Sequence, residues 1–154
     1  MDAKLIAKWF IFRNEQDLDE ENIECITNLK MQKLLYYAQG VYLAYKDNEL
    51  FGNDIYAWNH GPVVKEVYDE YKSYGRQGID VEISEGEKSE ILKAIGFKED
   101  SLEVLETVYK NYAKYSAWHL VEMTHSEKPW KETYKDEVIS KQLIKEYFRE
   151  EVLV

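Results

Sequence analysis

Apolar residues recur at spacings of three and four along most of this chain, the period that keeps one face of an α-helix buried. Leu5, Ile6, Trp9 and Phe12 mark a first helix that ends at Asn14, and an acidic connection from Glu15 to Glu21 follows. Thr27 reads as a helix N-cap, with Ile26 before it and Met31 after it at the spacing of a hydrophobic staple. From there Met31, Leu34, Ala38, Val41 and Tyr45 repeat at three and four, while Leu35, Tyr37, Tyr42 and Leu43 widen the apolar surface. A helix that is apolar on most sides is buried on most sides, so this one is the predicted centre of the fold.

Asn53 and Asp54 break the helical pattern, after which Ile55 to Trp58 reads as a short strand and Asn59-His60-Gly61-Pro62 as a turn. Pro62 suits the first position of the next helix, where its missing N–H is no loss. Val64, Val67, Tyr68 and Tyr71 mark that helix, which stops near Gly75. Alternation at Ile79, Val81 and Ile83 predicts a second strand paired with the first. Ser84 and Glu87 have capping-box spacing for a helix ending at Gly96, and Leu102, Leu105, Tyr109 and Tyr112 mark the next. Ser116 caps a short helix over Ala117 to Thr124 with its exit at His125, and Pro129-Trp130 opens a single turn. Ser140, with Ile139 and Ile144 at staple spacing, starts a last helix through Tyr147 and Phe148. With no internal repeat or linker, the expected fold is mainly α. It is a single compact helical domain over residues 1–154, built around a buried central helix, with a small two- or three-stranded β-sheet.

Composition narrows what such a domain can do. Apolar residues make up 45% of the 154 and aromatics 14%, too much for a disordered chain to keep in water. Asp and Glu number 30 against 20 Lys and Arg, and the resulting charge of −10 repels a polyanion at long range. No run of Lys and Arg reverses that sign locally, so no direct contact with nucleic acid is expected. A single cysteine, Cys25, cannot form an internal disulfide, which fits a reducing compartment and makes the cytoplasm the expected location. The apolar stretch from Leu5 to Phe12 is too short to cross a bilayer, so no membrane partner is expected either.

Chemistry has few footholds. His60, His119, His125 and Cys25 are the residues a transition metal would choose, but none of them share the spacings of zinc motifs. No serine or cysteine sits at a sharp Gly-flanked elbow, and the seven glycines form no phosphate loop. No metal, cofactor or catalytic residue is therefore expected. The rival reading is acid–base catalysis by His60 and His125 with Glu122 or Glu66.

Two features call for more than a structural explanation. Lys30 and Lys33 stand in the opening turns of the central helix, where a cation opposes the helix dipole at a cost of about 0.3–1 kcal/mol each. Together with the free N–H groups of that helix start, they suit an anion or a partner's carboxylate. The second feature is Trp58-Asn59-His60-Gly61-Pro62, which sets a tryptophan, an amide and an imidazole on a rigid Gly-Pro corner.

Three segments, in this order and spacing, resemble the Panacea domain, the SocA-like antitoxin family that also includes phage-associated proteins of the GepA type. They are Thr27-Asn28-Leu29-Lys30-Met31-Gln32-Lys33-Leu34-Leu35-Tyr36-Tyr37-Ala38-Gln39-Gly40, then Ala57-Trp58-Asn59-His60-Gly61-Pro62-Val63-Val64, then Thr124-His125-Ser126-Glu127-Lys128-Pro129-Trp130. The resemblance implies an antitoxin that neutralises a cognate toxin encoded beside it, by direct binding or by delivering the toxin to a Clp-type protease. An interaction or adaptor protein of a phage or mobile element, without a toxin, is the alternative it leaves. Some members carry DNA-binding segments ahead of the domain; this chain begins almost at the domain, so regulation through DNA is not expected. The expected partner contacts are Lys30, Lys33, Tyr37, Asn59, His60 and His125, with Trp58 and Trp130 as anchors and Gly61 and Pro62 shaping the corner. The charge of −10 is expected to steer the protein towards a cationic surface of the toxin.

Overall fold

The four serine and threonine caps read from the sequence are all made. In the computed structural model, which describes residues 1–20 and 23–153, the Thr27 hydroxyl accepts from Lys30 N at 3.2 Å and opens the helix Asn28–Lys46. Ser84, Ser116 and Ser140 accept in the same way from Glu87, His119 and Leu143. Glu87 does not close the box at Ser84, because its carboxylate takes a hydrogen bond from Lys8 Nζ at 2.7 Å instead. Each cap satisfies one of the N–H groups that a helix start leaves free.

Eight α-helices stand among the described residues: α1 (Ala3–Glu15), α2 (Asn28–Lys46), α3 (Lys65–Tyr71), α4 (Glu85–Gly96), α5 (Ser101–Tyr112), α6 (Ala117–His125), α7 (Lys128–Lys131) and α8 (Lys141–Tyr147). As its apolar surface predicts, α2 is the hub. It packs against α1, α3, α5, α6 and α8, and apart from Leu29, Tyr45 and Lys46 all of its residues are buried. Tyr45, counted in the apolar repeat, is exposed in the last turn of α2, although Val41 and Tyr42 on the same face are buried. At Gly40 the final turn after α8 comes so close that a Cβ would lie 2.3 Å from the Phe148 ring, so only glycine lets these two elements touch.

The acidic connection after α1 is tied down from within the helix. Asn14 is buried, giving its amide to Glu24 O and accepting from Ile26 N, while Arg13 pairs with Asp17 and with Glu106 of α5. Glu21, the last residue of that connection, lies outside the described residues.

The small sheet differs from the expectation in two ways. Strand β1 (Tyr56–Trp58) pairs antiparallel with β2 (Gly61–Val63), in the register Tyr56 to Val63, Ala57 to Pro62 and Trp58 to Gly61. Pro62 therefore lies in a strand and does not start α3, which begins at Lys65. Proline is tolerated because Ala57, opposite it, turns both its N–H and its carbonyl the other way, to Glu137 and Asp136. The second correction concerns Ile79 to Ile83, which forms no ladder with β1. Ile79 and Ile83 are buried, but the segment's backbone runs beside the residues before α2, through Ile79 N to Ile26 O and a bridge from Gly78 to Thr27, and Asp80 O accepts from the Tyr74 hydroxyl. Alternating burial alone produced the strand-like pattern.

Candidate functional site

The turn between β1 and β2 is held by side chains from three other elements. Trp130 Nε1 of α7 donates to Trp58 O at 2.7 Å, and His125 Nε2, at the end of α6, lies 2.9 Å from Asn59 O. A carbonyl can only accept, so this His125 nitrogen carries the proton. Lys33 Nζ of α2 donates to Pro62 O at 3.0 Å, and Val64 N donates to Gln32 Oε1 at 2.9 Å. The rings of His125 and Trp130 stack at 4.1 Å, so the two donors also hold each other. Gly61 takes φ +106°, and a Cβ there would lie 2.7 Å from Thr124 Oγ1 and 2.8 Å from Lys33 Cε. Only glycine fits both that backbone and that gap.

Much of the predicted contact set is therefore interior. Lys33 is fully buried, and burial pulls its amine down to about 7. Gly61 and Pro62 are buried with it. Tyr37 stacks on Tyr112 at 4.0 Å, and Tyr36 and Tyr37 give their hydroxyls to the two oxygens of Glu127, at 2.9 and 2.8 Å. Glu127 is only 6% exposed; burial pushes its carboxyl up to about 7, against the pull of the two tyrosine hydrogen bonds. Lys30 is buried too, and its Nζ donates to Ala113 O, at the C-terminal end of α5. A cation is unfavourable at the start of α2 but favourable at the end of α5, so neither lysine is left holding a free anion site.

The outer side of the same turn faces a groove of about 1060 Å³. Asn59 and His60 are exposed at its rim, and Trp58, half-buried, stands edge-on to Tyr68 of α3 at 5.1 Å. Across from them Trp118 of α6, 56% exposed, sits 5.6 Å from the His60 ring. Lys72 and Arg76 line the side that follows α3, and Lys135 with Asp136 the side that runs along β1. The start of α2 closes the groove through Thr27 and Leu29.

Among the described residues no three His, Cys, Asp or Glu side chains gather as they would around a metal ion. None of the described helices is long and apolar enough to cross a membrane. Of the four residues named for acid–base work, His125 has a ring nitrogen committed to Asn59 O, and His60, Glu66 and Glu122 are exposed.

Residues 31–131 match the family model described as antitoxin SocA-like, Panacea domain. This chain belongs to the SocA-like Panacea domain family. It is also 34% identical over 112 residues to Antitoxin SocA of Caulobacter vibrioides (strain NA1000 / CB15N), across 68% of this chain and 58% of that protein. The chain thus spans somewhat over half the length of this curated relative. No solved structure matches it. The span shared with the Panacea family contains Lys33, the turn, His125, Glu127 and Trp130, while α1 and α8 lie outside it.

Several residues of the site were not singled out from the sequence, among them the groove's Lys72, Lys135 and Asp136. Gln32 and Glu127 stand inside the quoted family segments, but nothing local marks them as buried, since their partners are 32 and 90 residues away. Trp118 and Arg76 had a weak signal. Leu120, Val121 and Thr124 form the buried stripe of α6, and Trp118 falls outside it.

Proposed function

We propose that this Panacea-family protein is an antitoxin that neutralises its cognate toxin by direct binding, and that the toxin docks in the groove beside the Trp58–Pro62 turn. The observation that carries this reading is Trp118, a large apolar side chain left more than half exposed at the rim of the groove. Tryptophans at the edge of a preformed hollow are favoured anchors in protein interfaces, and a backbone already clamped by Lys33, His125 and Trp130 loses little freedom on binding. In this reading Asn59, His60, Trp58 and Trp118 touch the toxin. Lys33, Tyr37, Gly61, Pro62, His125 and Trp130 act by holding the contacting surface in shape, and Lys30 by fixing α2 to α5. The acidic exterior supplies long-range steering to a cationic toxin.

The test is co-purification with the product of the adjacent toxin reading frame, followed by calorimetric titration. Trp118→Ala is expected to weaken binding by about 2 kcal/mol, roughly thirtyfold. Unchanged affinity in Trp118→Ala and in His60→Ala would place the contact elsewhere.

A further inference from the structure

The groove and the rest of the protein have opposite signs. The whole chain carries −10, yet the charged side chains that line the groove are Lys72, Arg76 and Lys135 against the single carboxylate of Asp136. Among the described residues Lys72 reaches only Asp69, at 4.0 Å, and no carboxylate stands within ion-pair distance of Arg76 or Lys135. In a chain so rich in Asp and Glu, a groove with three cations and one anion favours an acidic occupant. The cations come from two different sides of the groove, one following α3 and one beside β1. Trp58 and Trp118 add apolar surface to the same lining.

From this we infer that the groove recognises an acidic segment of the partner protein: a bulky apolar side chain between Trp58 and Trp118, with flanking Asp or Glu side chains at Arg76, Lys72 and Lys135. The inference rests on the antitoxin reading and adds the chemistry of what the groove accepts. Aromatic rings beside cations also suit single-stranded nucleic acid. Three cations neutralise few phosphates, however, and a net charge of −10 repels a polyanion before it arrives, whereas a short acidic segment on a cationic protein is brought in by the remainder of its surface. The groove therefore supplies short-range selection and the acidic exterior long-range attraction.

The experiment uses the full chain and needs no toxin. A phage-displayed library of random peptides is panned on the protein and, in parallel, on the double variant Arg76→Glu/Lys135→Glu. Both positions are exposed, and an unchanged melting temperature verifies that the variant is folded. The expected yield is peptides that join Asp or Glu to an aromatic or aliphatic residue. By fluorescence anisotropy those peptides should bind the double variant about tenfold more weakly, and Trp118→Ala should weaken them similarly. Enrichment of Lys- and Arg-bearing peptides, no enrichment that depends on Arg76 and Lys135, or tighter binding of labelled oligo-uridine than of any selected peptide overturns the inference. If such an outcome accompanies intact loss of toxin binding in Trp118→Ala, only the acidic-segment inference falls. If Trp118→Ala binds toxin normally, the docking site itself is wrong.

Discussion

On its inner side the turn from Trp58 to Pro62 gives three backbone carbonyls to Trp130, His125 and Lys33. On its outer side the same five residues present an amide, an imidazole and part of an indole to an open groove. The inner side is built from residues far apart in sequence and has no slack, as the space around Gly61 shows. The outer side is free of such ties: His60 meets Trp118 ring to ring without a hydrogen bond to fix either. Residues that look chemically active in the sequence divide between these sides. Their conspicuousness reflects the cost of holding a turn rigid as much as any contact with a partner.

The largest effect should come from breaking the inner side at its tightest point. Gly61→Ala puts a side chain on a backbone at φ +106° and into the gap shared by Thr124 and Lys33. The expected loss is about 3 kcal/mol of unfolding free energy, read from urea denaturation.

Next is a pair of opposing pH dependences. Lys33, down at about 7 when folded, is neutral in the native state above pH 7, while the unfolded lysine holds its proton up to its ordinary value of 10.5. The unfolded state binds more protons there, so this group makes stability rise with pH, by at most about 1.4 kcal/mol per pH unit. Glu127, up at about 7, keeps its proton between pH 4.5 and 7 when folded and has lost it when unfolded, so it makes stability fall as pH rises through that window. Lys33→Met should flatten the rise above pH 7, and Glu127→Gln the fall below it. Parallel curves for variant and native protein would mean that these groups titrate normally.

Smaller again is Trp130→Phe, which keeps a ring against His125 but removes the donor to Trp58 O. It should cost about 1–2 kcal/mol for one carbonyl left without its partner. A loss below about 0.5 kcal/mol would show that water replaces the indole.

Much of the frame was legible in the sequence because it is written locally. Thr27, Ser84, Ser116 and Ser140 cap helices three residues into which they reach, and the apolar girdle from Met31 to Leu43 identifies α2 without any partner. Pro62 misled because its preference for a helix start was weighed alone. Its place in β2 depends on Ala57 facing a segment some 80 residues later, which no local rule contains. Ile79 to Ile83 misled for the converse reason, since alternation reports burial on one face and says nothing about which backbone lies alongside. The candidate site was legible as a set of residues and illegible as a surface. Lys33 reads as a cation poised for an anion until its partner proves to be a backbone carbonyl 29 residues away. Trp118, marked in the sequence only by falling outside the apolar stripe of α6, is the tryptophan whose ring remains most exposed beside the turn.

The division between a holding side and a contacting side is tested most directly by Trp118→Ala. Co-expressed with the cognate toxin that the proposed function calls for, this variant should fail to restore growth, while its unfolding free energy stays within about 0.5 kcal/mol of the native protein. Full growth rescue by a folded Trp118→Ala protein would contradict the account.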